Sequence, residues 1–166
     1  MNGTGPSSRT TPGSTHLLAA EIHSEGQVAG FTDHAWLYYL PKPLVSQDLA
    51  GTWATTRDAL NWTGSATLPG PWDTFIARRN ASIDRANAGK TVMLRIETEQ
   101  PCGIYGALVN GRWIMRLHHD VGPRTYLNVT PWIRAGEENE ICIVRRDGPG
   151  KGAIKMARLD YFKPNE

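Results

Sequence analysis

Apolar residues recur along this chain in short alternating or compact runs, not at the i, i+3, i+4 spacing of an amphipathic helix. His16–His23 (HLLAAEIH), His34–Leu40 (HAWLYYL), Thr91–Ile96 (TVMLRI), Ile104–Asn110 (IYGALVN), Arg112–Leu117 (RWIMRL), Thr125–Val129 (TYLNV), Glu140–Arg145 (EICIVR) and Ala157–Phe162 (ARLDYF) each predict a strand of five to eight residues. Turn-forming residues separate them at Pro41-Lys42-Pro43, Pro69-Gly70-Pro71, Asn110-Gly111, Gly122-Pro123 and Asp147-Gly148-Pro149-Gly150. Asn110-Gly111 sits between two apolar runs. Both residues tolerate the positive φ of a two-residue type I′ turn, so a hairpin is predicted there. Only Ala77–Ala88 admits a short helix, and Asp84 and Arg85 interrupt its apolar stripe. Many short strands with frequent turns predict an all-β fold, a jelly-roll β-sandwich.

A length of 166 residues is that of one domain. Residues 1–14 (MNGTGPSSRTTPGS) have turn-forming composition without periodicity and read as a flexible arm, so the sandwich is expected to span 15–166. Within it, 15–40 repeats the pattern of 135–162. In both, an alternating strand leads through a Gly-containing loop into a strand with a Leu-x-Tyr pair, Leu37 with Tyr39 and Leu159 with Tyr161. Two Gly-rich hairpins also look alike without being repeats. As a separate unit, the first copy would leave Leu17, Leu18, Ile22, Trp36 and Leu37 without a core. It is therefore expected to join the same sandwich, or to exchange strands with a second chain in a homodimer.

Charge narrows the partners. Lys and Arg number 18 against 16 Asp and Glu, spread along the chain, which argues against nucleic acid and against a polybasic membrane contact. No run of about 18 apolar residues exists to cross a membrane as a helix, and Met1–Thr11 has no apolar stretch of a signal peptide. Cys102 and Cys142 are too few for a disulfide scaffold and too far apart for a zinc pair. Asn-x-Ser/Thr patterns occur at Asn2, Asn61, Asn80 and Asn128, which matters only in a eukaryotic secretory pathway.

No hydrolase constellation is visible: there is no Gly-x-Ser-x-Gly elbow, no His-Glu-x-x-His and no phosphate loop, so the chain is not expected to be an enzyme. Adjacent histidines on a strand point to opposite faces, so His118 and His119 do not hold one metal, and no metal site is expected. His118 and Asp120 read as solvated loop residues or as ligand contacts. Six tryptophans in 166 residues supply aromatic faces of the kind sugars stack on. Trp36, Trp53 and Trp113 alternate with polar residues within strands and read as core. Trp62 and Trp72 lie in the loop-rich stretch 61–79 and read as ligand-stacking residues. Asp73, Arg78, Asp120 and Arg124 could supply directional hydrogen bonds to hydroxyls or to a uronate carboxylate.

Four pieces carry a family resemblance: Leu49-Ala50-Gly51-Thr52-Trp53 with Arg57-Asp58; Val109-Asn110-Gly111-Arg112; Leu127-Asn128-Val129-Thr130-Pro131; and Gly136-Glu137-Glu138-Asn139-Glu140-Ile141. Together they resemble the sugar-binding jelly-roll domain of glycoside hydrolase family 2 and related galactose-binding-like modules. The resemblance covers roughly two thirds of the chain. Asn128 stands where that family often has Asp, Leu68–Phe75 (LPGPWDTF) rewrites its Pro-x-x-Trp segment, and Trp132 matches a structural position. The resemblance implies a non-catalytic carbohydrate-binding or accessory domain of a glycoside hydrolase or carbohydrate esterase. Its partner would be an oligo- or polysaccharide and its setting extracellular or periplasmic; it implies no cofactor, a structural calcium being the one ion such a domain could carry. The alternatives are a structural or interaction sandwich, including a strand-exchanged dimer, and a small esterase or lyase using His118 or Asp120.

Overall fold

In the strand Thr91–Thr98, Val92, Leu94, Ile96 and Thr98 are buried while Thr91, Met93, Arg95 and Glu97 face the other way, the period-two signature of a sheet with one face on a core. The same alternation governs the rest of the computed structural model, which describes residues 42–58, 60–71, 74, 76–99, 104–115, 124–145 and 152–164, all within the unit spanning 40–166. Among these residues the strands are β1 (Val45–Asp48), β2 (Gly51–Thr56), β3 (Gly64–Leu68), β4 (Gly70–Pro71), β5 (Ile76–Ser82), β6 (Thr91–Thr98), β7 (Ile104–Val109), β8 (Arg112–Met115), β9 (Arg124–Asn128), β10 (Glu138–Arg145) and β11 (Ala153–Phe162). They form two antiparallel sheets. One runs β1-β11-β6-β9, with β4 also paired to β11; the other runs β3-β2-β5-β10-β7-β8.

The two sheets close on one core. The five-stranded sheet contributes Val92, Leu94, Ile96, Leu127, Leu159 and Tyr161; the six-stranded sheet contributes Trp53, Ala77, Ala81, Val109, Ile141 and Ile143. Each fully buried Leu or Ile side chain is worth about 1.5–3 kcal/mol relative to exposure, which is why this alternation sets the register. Polar tips inside it are satisfied: the Trp53 indole N–H donates to the Leu49 carbonyl at 3.0 Å, and the Tyr161 hydroxyl donates to Gln47 Oε1 at 2.8 Å.

The expected all-β sandwich is what the chain adopts, and the expected strands from Thr91 onward correspond to β6 through β11. The short helix that Ala77–Ala88 admits is not formed. Ile76–Ser82 is strand β5, followed by a single 3-10 turn at Arg85–Asn87 that Asp84 caps by accepting from the Ala86 N–H at 2.8 Å. The small side chains of Ala77 and Ala81 lie beneath the sheet at strand spacing, a period hidden in the sequence by the charge of Arg78 and Arg79. The Asn110-Gly111 hairpin forms as expected, with φ of 51° and 76° at its two residues. The 15–40 repeat and Cys102 lie outside the described residues.

The outer face of the five-stranded sheet carries a closed charge ladder. Asp160, 1% exposed, accepts from Ser46 Oγ at 2.6 Å and lies 2.8 Å from Arg158 Nε. Arg95 lies 3.9 Å from Asp160, pairs with Glu97 beside it, and rests over the Tyr126 ring at 5.5 Å.

Candidate functional site

The six-stranded sheet presents a different outer face. After β2 the chain turns at Arg57-Asp58, and the Asp58 carboxylate organises that turn. It accepts from the Thr56 hydroxyl at 2.8 Å, the backbone N–H groups of Leu60 and Asn61 at 2.9 and 2.8 Å, and the Asn61 amide at 2.7 Å. These donors, the Asn61 backbone foremost, hold its carboxyl well below the usual carboxylate range. The next residue is Trp62.

Trp62 folds back onto the sheet, with the Arg78 guanidinium 4.1 Å from its ring centroid, a cation–π contact. Arg78 points outward from β5 because Ala77 points inward. On the neighbouring strand Glu140 points outward because Ile141 points inward, and its Oε2 lies 3.5 Å from Arg78 Nη1. The pair is partly solvated, at 39% and 43% side-chain exposure, so its direct worth to stability is small. Its value is orientational: Glu140 stands beside the guanidinium that covers one face of the Trp62 ring.

Beside them runs an open groove of about 750 Å³, walled by Gly51, Thr52 and Ala54 of β2 and by Arg78, Asn80 and Glu140. Arg79 closes its end. That guanidinium donates to the carbonyl oxygens of Ala50 and Leu49, and a Cβ on Gly51 (φ 116°) would come within 2.6 Å of its Nη1, so glycine is what lets Arg79 lie there. Asn80, whose amide donates to Glu138 at 2.8 Å, and the Thr52 hydroxyl complete a rim of mixed donors and acceptors.

Cys142 is the cross-strand partner of Arg78 but lies beneath its neighbours. Burial, reinforced by the Glu140 charge, pushes its thiol up to about 12, so it is a neutral packing residue and not a nucleophile. Among the described residues no three His, Cys, Asp or Glu side chains converge to hold a metal. What the groove offers is shape and hydrogen bonds, with Trp62 held beside it through Arg78. These are the elements of a binding site.

Of the residues singled out from sequence, the structure brings Trp62 and Arg78 together. Arg124 does not join them: it lies on β9 in the other sheet, where its Nε is 3.2 Å from Glu97 Oε1. Trp72, Asp73, His118 and Asp120 lie outside the described residues, as does Trp36. Trp53 is core as expected, and Trp132 packs partly buried against it. Trp113, expected in the core, is instead 41% exposed. On the edge strand β8 it is Ile114 that turns to the core, which sends Trp113 outward. Glu140, Thr52 and Asn80 were not legible as site residues. Glu140 and Asn80 become neighbours only through the β5–β10 register, which pairs them directly.

No protein-family model matches the chain, and no curated protein matches it. Solved structures do. The chain is similar to a glycosyl hydrolase family 2 member from Bacteroides cellulosilyticus (20% identity, TM-score 0.51, 71% of this chain and 21% of that one). It is also similar to a β-D-glucuronidase from Dictyoglomus thermophilum (12%, 0.57, 75% and 29%) and to a β-glucuronidase from Lactobacillus rhamnosus (15%, 0.54, 75% and 30%). At these identities the likeness is one of fold. The chain spans less than a third of the length of each of these three proteins.

Proposed function

We propose that this chain is a non-catalytic carbohydrate-binding or accessory domain of a glycoside hydrolase, taking a sugar at the groove beside Trp62, Arg78 and Glu140. The observation that carries the reading is that constellation itself. An indole face stacks on the C–H groups of a pyranose ring, while an adjacent donor and acceptor address neighbouring hydroxyls. The fold likeness to a portion of family 2 glycosyl hydrolases supports the accessory role, because the shared portion is a sandwich that makes up under a third of those chains. A neutral thiol and a single Arg–Glu pair support binding over covalent chemistry. Such a domain works where polymeric glycans are met, outside the cytoplasm.

The test is affinity electrophoresis of the intact chain against immobilised polysaccharides, beside Trp62→Ala and Arg78→Ala variants. Retardation that is lost in both variants is expected. No retardation by any glycan, or retardation unchanged in Trp62→Ala, overturns the reading.

A second reading has its own observation. Leu44 and Val45 are exposed apolar residues at β1, an edge strand among the described residues. An edge strand with exposed apolar residues at its start suits pairing with another chain. A mass that stays monomeric at all concentrations in solution removes it.

A further inference from the structure

The groove lies at one end of a longer surface. Register pairs Arg78 of β5 with Cys142 of β10, Cys142 with Leu108 of β7, and Leu108 with Trp113 of β8, so these four side chains form one row across the sheet. Cys142 is covered, and the row presents Arg78, Leu108 and Trp113. Three strand spacings separate Arg78 from Trp113, roughly 14 Å, which exceeds one sugar ring.

Trp113 is seated for stacking. At Gly106 a Cβ would lie 3.1 Å from Trp113 Cζ2, so the missing side chain makes room for the indole beside that strand. At 41% exposure it still offers surface to solvent on the same face as Trp62. The outward positions of β5, β10, β7 and β8 carry three charges, Arg78 against Glu138 and Glu140. Arg78 is already matched by Glu140, Glu138 accepts from the Asn80 amide, and the Arg79 guanidinium at the end of the groove is turned to the Leu49 and Ala50 carbonyls. A uronate or sulfate would meet cations already engaged beside two carboxylates, whereas hydroxyls find donors and acceptors without a charge penalty.

We propose that this face binds an uncharged oligosaccharide laid across β5, β10, β7 and β8, with Trp62 and Trp113 as its two stacking residues; the inference rests on the sugar-binding reading above. The experiment is calorimetric titration of the full chain with neutral gluco-, manno-, galacto- and xylo-oligosaccharides of increasing length, and with oligogalacturonates as the acidic comparison. Affinity is expected to rise with length until the ligand spans both tryptophans. Trp113→Ala should weaken the longest neutral ligands roughly tenfold, leave the shortest unchanged, and be largely rescued by Trp113→Phe, with circular dichroism showing that the variants are folded. Affinity without length dependence, Trp113→Ala equal to wild type on long ligands, or tighter binding of oligogalacturonates overturns this inference while sugar binding at Trp62 stands. If no sugar of any length binds wild type, the sugar-binding reading falls with it.

Discussion

The side-chain amide of Asn110 donates to Oδ1 of Asn139 at 2.8 Å, joining the β7–β8 hairpin to the start of β10. Asn139 is fully buried and has no idle polar position. Its oxygen also accepts from the Arg134 N–H at 2.8 Å, and its amide donates to the carbonyls of Arg134 and Glu137 at 2.9 and 3.0 Å. Asn110 in turn accepts from the Glu140 N–H at 3.0 Å, so the network ends at the backbone of a site residue.

Replacing Asn139 with Leu leaves those backbone groups unpartnered and should cost about 3 kcal/mol in urea unfolding. Asn139→Asp keeps the acceptor but sets a carboxylate against two carbonyls. Its folded pKa is therefore raised, so its stability is highest at acid pH and is lost as pH rises through that value. A pH-independent deficit in Asn139→Asp would contradict the network.

Asp160 is held by Ser46, Arg158 and Arg95 on the far face of the molecule. Asp160→Ala leaves Arg158 without its carboxylate partner while Arg95 keeps Glu97, and should lower stability by about 2–3 kcal/mol, with Asp160→Asn intermediate. Glycan binding should be unchanged in both, because the ladder belongs to the sheet opposite the groove.

Alkaline stability follows from two buried acids kept neutral. Burial raises Cys142 from 9.0 and Tyr161 from 10.0, each to about 12. A raised folded pKa contributes stability that is fully present below the unfolded value and lost as pH rises through the folded one. These two groups should therefore add no slope from neutral pH to about pH 9 and should make stability fall between pH 9 and 12. In a Cys102→Ser background, Cys142→Ala should flatten the first part of that fall and Tyr161→Phe the later part. Native Cys142 should also resist alkylation at pH 8 until denaturant is added.

Gly106 is sterically fixed. An added Cβ would fall against the Ile114 carbonyl oxygen and crowd the Trp113 ring, so Gly106→Ala should cost about 1–3 kcal/mol and shift tryptophan fluorescence. By contrast Gly111 has nothing near its Cβ position, and Gly111→Ala should cost only the strain of φ 76°, about 1 kcal/mol.

The later half of the fold was legible because β6, β7, β10 and β11 carry dense Val, Ile and Leu on alternating or fully buried positions. The first five strands were not. In β2 the buried positions include Thr55 and Thr56, in β5 they are alanines, and Arg78-Arg79 hides the period. The same property limited the site: Trp62 and Arg78 stood out as loop-region chemistry, but their partner Glu140 is 62 residues from Arg78. Only strand register, a non-local quantity set by the whole core, brings it there. Trp113 misled for a related reason, since alternation shows that two faces exist but not which is inward on an edge strand.

That register ties folding quality to the proposed ligand recognition. In β5 and β10 each outward site residue is next to an inward core residue, Arg78 beside Ala77 and Glu140 beside Ile141. A slip of one position in either strand would send a charged side chain into the core and an apolar one into the groove. No misthreaded conformer can keep the platform while losing the core. On the proposed function, ligand capture would be an assay of correct threading as well as of affinity, and a binding-competent fraction measured in a preparation would count its properly folded molecules.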